Sequence, residues 1–357
     1  MGDTRQPAKL ENGHLQIPSE YTPCLDVRDT ERAIKSIKLD FQEKLSDALN
    51  LQRVSAPIIV TAKSGINDYL NGVEMPVHFN VKDMGGERGE VVQSLAKWKR
   101  KALGDYGFEP GEGLYTDMNA LRPDELMDNL HSIYVDQWDW ERVIDKDDRN
   151  LDFLKDIVRR IYGAMREMEM QVCEQFPALP DPFLPETISF VHSEELEEKY
   201  PDLTPRERET TIAKELGAVF VIGIGANLKS GQPHDGRASD YDDWTTPNDK
   251  GFLGLNGDII VWYPILERGF ELSSMGIRVN KEALMRQLEI RDELFKVEQD
   301  FHKRLLNDQL PQTIGGGIGQ SRLCMMLLRK AHVGEVQTSI WPDNMIETCR
   351  MNNIPLL

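Results

Sequence analysis

The 357-residue chain has little cysteine, no long apolar run and a deficit of positive charge. Its four cysteines, Cys24, Cys173, Cys324 and Cys349, form no C-x-x-C and are not spaced for zinc with a histidine pair. That pattern disfavours a disulfide framework and predicts four separate thiols in a reducing cytoplasm. No stretch of about 18 apolar residues occurs, so no membrane-spanning helix is expected. No apolar region follows Met1, so no signal peptide is expected either. Lys and Arg total 42 against 60 Asp and Glu, a formal charge of −18. Such a surface repels phosphate backbones, which argues against nucleic acid as a partner. A small anion in a locally basic pocket stays open. The seven histidines form no H-E-x-x-H, and no G-x-S-x-G is present, which disfavours zinc hydrolysis and a serine nucleophile.

What is there reads as a globular protein, 40% hydrophobic and 29% charged. Residues 1–28 are polar, carry Pro7, Pro18 and Pro23, and read as an arm outside the core. Residues 29–357 contain no linker or repeat and read as one catalytic domain. Ile34, Ile37, Phe41, Leu45 and Ala48 predict an amphipathic helix, and Leu151 to Val172 a long second one. Thr204-Pro205-Arg206-Glu207 is a capping box with proline at the first helical position, and Gly217 ends that helix. A charged helix is expected from Lys281 to Leu306. Val54–Val60 reads as a strand that Pro57 confines to an edge or an interface. Further strands are expected at 133–140, 188–192, 218–224, 258–264 and 271–279. Several follow one another without an intervening helix. The expectation is therefore an α+β fold, a mainly antiparallel mixed sheet flanked by helices.

Several segments could carry chemistry. Gly315-Gly316-Gly317-Ile318-Gly319-Gln320-Ser321-Arg322 precedes an apolar run that reads as a buried helix. Glycines let a backbone approach a ligand, and a cation in a first helical turn is unfavourable unless it meets an anion. A phosphate loop and a plain turn are the two readings. Four glycines in five residues exceed what a turn needs. Arg122-Pro123-Asp124-Glu125 could grip phosphate and an exocyclic amine, but taken alone it reads as solvated surface. In the strand around Gln137, that residue shares one face with Asp139 and Glu141, while Tyr134, Asp136, Trp138 and Trp140 share the other. This is either a site floor or an edge strand. Asp258 and Glu271 each open a strand and could offer two oxygens to Mg²⁺.

Together these segments resemble the ammonia-dependent asparagine synthetases, the aspartate–ammonia ligases. The matching stretches are Gln93–Arg100, Gly111–Tyr115, Leu121–Glu125, Val135–Arg142, Tyr241–Trp244, Leu255–Asp258, Phe270–Val279 and Pro311–Leu323. The family looks like a class II aminoacyl-tRNA synthetase core without a tRNA-reading domain, which implies a homodimer with Pro57 at the interface. The resemblance implies ATP, L-aspartate and ammonia as substrates, with Mg²⁺ as cofactor. It implies a β-aspartyl-adenylate intermediate and release of AMP and pyrophosphate. It puts Arg122, Glu125, Ser132, Gln137, Asp258, Glu271, Ser274, Gly317 and Arg322 around ATP, with Asp258 and Glu271 on the metal. Asp68, Ser94, Lys99, Asp139, Asp242 and Arg278 would surround aspartate. Catalysis would fall to Asp68, Lys99, Arg122 and Arg322, with Asp68 as the candidate base toward ammonia and Asp139 or Asp242 as the alternatives. This chain departs from the bacterial pattern at Gln93, where that pattern has histidine, and around Asp68, where Ile66-Asn67-Asp68-Tyr69-Leu70-Asn71-Gly72 replaces Thr-Gln-Asp-Asn-Leu-Ser-Gly. An inactive relative with a binding role is the alternative. The intact Arg122, Glu125, Asp258, Glu271 and Arg322 count against it.

Overall fold

The structure, a computed structural model, describes residues 14–70, 74–248 and 250–357. Pro7, most of the first half of the expected arm, Asn71 and Gly72 lie outside the described residues. The strands are β1 (Leu51–Arg53), β2 (Ile59–Thr61), β3 (His78–Val81), β4 (Glu87–Val91), β5 (Gly113–Leu121), β6 (Tyr134–Val143), β7 (Ser189–His192), β8 (Ala218–Ile222), β9 (Asn256–Tyr263), β10 (Arg268–Ile277) and β11 (Thr313–Gly319). The helices are α1 (Val27–Leu49), α2 (Ala96–Tyr106), α3 (Leu151–Gln175), α4 (Ser193–Lys199), α5 (Pro205–Leu216), α6 (Lys281–Ile290), α7 (Asp300–Leu306), α8 (Gln320–Leu327) and α9 (Asp343–Met351).

Eight strands form one sheet in the order β1-β5-β6-β11-β10-β9-β8-β7, and β2-β4-β3 form a small second one. Only the two outer pairs of the large sheet, β1 with β5 and β7 with β8, are parallel. The fold is thus α+β with a mainly antiparallel sheet, as the strand pattern implied. Alternation along β6 decides which face does what. Trp138 and Trp140 are fully buried on one face, where Trp138 lies 4.8 Å from the Phe41 ring of α1. Ile37, Phe41 and Leu45 of α1 and Ile157, Ile161 and Met165 of α3 complete this core. Each such side chain contributes about 1.5–3 kcal/mol by leaving water. Gln137 and Asp139 line the opposite face, which is open as a cleft.

The helix signals act as their chemistry requires. Asn150 caps α3 by accepting from the Phe153 amide at 2.9 Å. Thr204 and Glu207 form the expected capping box of α5, and Gly217 stops it at φ 76°.

Four local expectations are corrected. The helix expected over 281–306 is broken after Ile290. Asp292 takes φ 57°, which ends the hydrogen-bond ladder, and a short 3₁₀ turn precedes α7. The strand expected over 54–60 is irregular around Pro57, with β1 before it and β2 after it, because proline donates nothing to a ladder. The described part of the arm is not outside the core: Leu15 and Ile17 are buried against Ala331, Met345, Cys349 and Ile354. The glycine run is not a loop. Gly315 to Gly319 lie within β11, paired with β6 on one side and β10 on the other, so most of their backbone groups serve the sheet. Among the described residues, no helix is long and apolar enough to cross a membrane.

Candidate active site

The cleft lies over the centre of the large sheet, above β6, β11 and β10. It comprises three adjoining cavities. The first, of about 330 Å³, is lined by Asp68, Ser94, Asp139, Asp242 and Arg278, and also by Arg122, Glu125, Gln137, Glu271, Ser274 and Gly317. The second, of about 200 Å³, shares those last six residues and adds Ser132 and Arg322. The third, of about 250 Å³, holds Asp258 and meets the second at His131, Glu271 and Arg322. Glu271 lines all three. The sheet thus gathers residues that lie far apart in the chain, and fourteen of the fifteen expected site residues face these cavities. Lys99 is the exception. It is 1% exposed and donates to Asp139 Oδ1 at 2.6 Å and to the Gly316 carbonyl at 2.9 Å. Burial lowers its pKa, opposed by Asp139. It stands behind Asp139 and fixes its orientation.

Register explains the glycines of β11. A Cβ on Gly315 would collide with the Glu141 carboxylate and with Arg278. One on Gly317 would collide with the Gln137 amide. The strand therefore lacks side chains on this face so that charged groups from β6 and β10 can cross it. Arg278 uses this space. Its Nε donates to both Glu141 oxygens at 3.1 Å, its Nη2 donates to Glu141 Oε2 at 2.8 Å, and its Nη1 reaches Asp242. Burial opposes the charge on Arg278, but Glu141 and Asp242 hold its pKa above the ordinary value. The Glu141 carboxyl, buried completely, is held low by Arg278 and Lys99.

Asp68 is only 4% exposed. Its Oδ1 accepts the Leu70 amide at 3.1 Å, and among the described residues its Oδ2 has no hydrogen-bond partner. Burial, aided by the charge of Asp240 and opposed by Lys97, Lys296 and Arg122, pushes its pKa up to about 6. Behind it, Asp240 Oδ2 accepts from Lys97 Nζ at 3.1 Å and lies 3.1 Å from His302 Nε2. A carboxylate with one free oxygen and a pKa near neutrality is suited to taking a proton.

The two arginines of the nucleotide motifs have looser partners. Arg122 donates to the Gln93 carbonyl at 3.3–3.4 Å and has no carboxylate partner among the described residues. Arg322, in the first turn of α8, lies 3.3 Å from Glu271 Oε2. Arg122 can meet an incoming anion directly, and Arg322 by exchanging its half-exposed partner Glu271, where arginine's planar fork matches phosphate.

Asp258 and Glu271 do not open their strands, since β9 begins at Asn256 and β10 at Arg268. In the β9–β10 register Asp258 pairs with Ser274, and Glu271 lies further along at a bulge. They are still neighbours. Burial raises the Asp258 pKa, Arg237 opposes it and the Glu271 charge adds to it, reaching about 7. Two carboxylates that repel one another at a cavity wall are a donor set that fits Mg²⁺, which takes one or two carboxylates and completes its shell with phosphate and water. Among the described residues no group of three or more acidic, histidine or cysteine side chains is placed to hold a metal alone.

Sequence reasoning missed Arg237, whose Nη2 donates to Asp258 Oδ1 at 2.6 Å and whose Nε is 3.5 Å from Asp242. It sits in a non-periodic loop, where no local pattern marks it. Glu141 had a signal: it alternates with Gln137 and Asp139 along β6.

Comparison with known proteins agrees in coverage and kind. The family described as aspartate-ammonia ligase matches residues 28–353. The aspartate–ammonia ligase of Bacteroides fragilis is 57% identical over 344 residues, 96% of this chain and 99% of that protein. That of Bacillus mycoides is 57% identical over 336 residues, 94% and 99% of the two chains. Among solved structures, the asparaginyl-tRNA synthetase of Pyrococcus horikoshii complexed with asparaginyl-adenylate superposes with a TM-score of 0.65 at 14% identity, over 88% of this chain and 70% of that one. The Entamoeba histolytica enzyme in complex with asparaginyl-adenylate gives 0.62 at 15% identity, over 87% and 66%. These likenesses establish a class II aminoacyl-tRNA synthetase fold.

Proposed function

The chain belongs to the aspartate–ammonia ligase family, and we propose that its cleft makes asparagine from aspartate, ATP and ammonia in two steps. The observation that carries this reading is the junction of two unlike cavities at Glu271. One is rich in fixed carboxylates and holds the tethered Arg278. The other carries Arg322, and Arg122 lines both, so that two guanidiniums stand where phosphate would lie.

Aspartate occupies the first cavity. Arg278 meets a substrate carboxylate from its anchored position, and Asp139 and Asp242 face the ammonium group, with Ser94 beside them. Lys99 holds Asp139 in orientation. Adenosine occupies the second cavity near Glu125, Ser132, Gln137, Ser274 and Gly317. In the first step the aspartate side-chain carboxylate attacks the α-phosphorus. An O–P bond forms, and the bond to pyrophosphate breaks. Arg122 and Arg322 neutralise charge that grows on the phosphate oxygens, so positioning and electrostatics supply most of the catalysis. Asp258 and Glu271 would hold Mg²⁺, which when bound supplies charge neutralisation on the phosphates. In the second step Asp68 takes a proton from ammonium. The resulting ammonia attacks the carbonyl carbon, and AMP departs with the electron pair of the broken C–O bond. The remaining surplus proton is released with it.

The chain acts as a single catalytic domain over 29–357 with an arm over 1–28. It forms a homodimer, supported by Ile58 and Ile59 beside Pro57, which are 56% and 49% exposed. It works in the cytoplasm, a reading supported by four free thiols. A product assay with ATP, Mg²⁺, aspartate and ammonium tests the function. AMP and asparagine are expected, and ADP would overturn the adenylate route.

A further inference from the structure

Asp68 faces two cavities. One is the cleft. The other, of about 280 Å³, lies beyond the segment Asp235–Ala238 and is walled on its far side by Tyr69, Ser239, Arg291, Glu293 and Lys296. Among the described residues it shares Asp68, Leu70 and Asp235–Ala238 with the first cavity of the cleft and no lining residue with the second, where adenosine is placed. It reaches Asp68 without passing through the second cavity.

We propose that this side cavity is the port through which ammonium reaches Asp68 after aspartate and ATP have filled the cleft. The inference rests on the adenylate reading and assigns the third substrate its own route. Three observations support it. The first is the buried Asp68 Oδ2, which lacks a partner among the described residues. A buried unsatisfied carboxylate oxygen costs stability until a donor arrives, and an ammonium N–H is such a donor.

The second is the charge balance. Two of the cavity's three cations are tied to carboxylates, and the third is held by neutral groups. Lys296 pairs with Glu293 at 2.9 Å. Arg237 donates to Asp258 at 2.6 Å. Arg291 donates to the Gly225 carbonyl at 3.3 Å and lies over the Trp244 ring at 5.2 Å. The lining carries three carboxylates, Asp68, Asp235 and Glu293, and of these Asp68 and Asp235 have no ion-pair partner among the described residues, which leaves two carboxylates for a small cation to meet.

The third is order of use. Aspartate and ATP must be in place before an acyl-adenylate exists. A nucleophile approaching through the cleft would then have to pass both. At the port's inner end, transfer of one N–H proton to the Asp68 carboxylate leaves neutral ammonia beside the carbonyl carbon it attacks.

The test uses Glu293, which lines the port but not the cleft. Glu293→Cys is modified with either a methyl or a bulky aromatic thiosulfonate, and the native protein treated identically controls for Cys24 and Cys173. The bulky adduct is expected to raise the ammonium KM roughly tenfold, and the methyl adduct about twofold or less. Aspartate-dependent exchange of pyrophosphate into ATP, which reports the first step alone, is expected to stay within about twofold for both. Glu293→Lys, which adds a cation without a plug, is expected to raise the ammonium KM about fivefold by repulsion. An ammonium KM unmoved by the bulky adduct would overturn the port. So would a matching loss of exchange, because the cavity would then belong to the cleft. Native protein that shows no exchange at all would instead fail the adenylate reading.

Discussion

In the half of the cleft around Arg278, the charged groups already hold one another. The side chains of Arg278, Glu141 and Asp242 are 4%, 0% and 2% exposed and form one connected set. In the half around Arg322, that arginine is 22% exposed and its partner Glu271 45%, and Arg122 has only a carbonyl to bond. The contrast follows from solvent. A charge removed from water must bring its partner with it, whereas a charge left half in water can wait for one. The first half is therefore set before substrate arrives and discriminates by shape and charge. The second is completed by the phosphates themselves.

The contrast can be broken by substitution. Arg278→Met leaves Glu141 charged and buried, and is expected to cost about 3–5 kcal/mol of stability together with nearly all activity. Chemical denaturation and the asparagine assay read both effects. Arg278→Lys is expected to rescue little, since an ammonium cannot span Glu141 and Asp242 as a fork does. Arg322→Ala is expected to lower kcat/KM for ATP about tenfold to a hundredfold with stability changed by less than about 0.5 kcal/mol. Equal stability losses in the two halves would refute the distinction. Asp68→Asn is expected to cut asparagine formation about tenfold while pyrophosphate exchange persists. In the native protein the rate of the second step should fall as pH drops below about 6, because the Asp68 pKa is raised to about 6 and the protonated form cannot act as a base. Loss of that acid limb in Asp68→Asn checks the assignment. The smallest effect is expected at half-buried Glu125, where Glu125→Gln should raise the ATP KM only a few-fold.

Much of this was legible in the chain, unevenly. The stripes of α1 and α3 and the capping box at Thr204 are local and appeared where their periods put them. The motif stretches pointed to their family, and nearly all the residues they named face the cleft. Lys99 shows what a motif leaves out. Its motif marks it as a substrate contact, and the fold adds its partners, Asp139 and the Gly316 carbonyl. Gly315–Gly319 shows the limit. As a string it reads as a phosphate turn, while in the sheet it is a strand stripped of side chains so that Glu141 and Arg278 can meet above it.

What the amino-acid order determined by itself was periodicity, caps, net charge and family, because each is written in neighbouring residues or in the length of a match. What only the tertiary structure decided was partnership: which carboxylate holds Arg278, which side of Asp139 Lys99 occupies, and that Asp68 opens onto a second cavity. Glu141 and Arg278 are 137 positions apart. Their meeting depends on the register of β6, β11 and β10, and a shift of one residue would turn every one of these side chains to the other face.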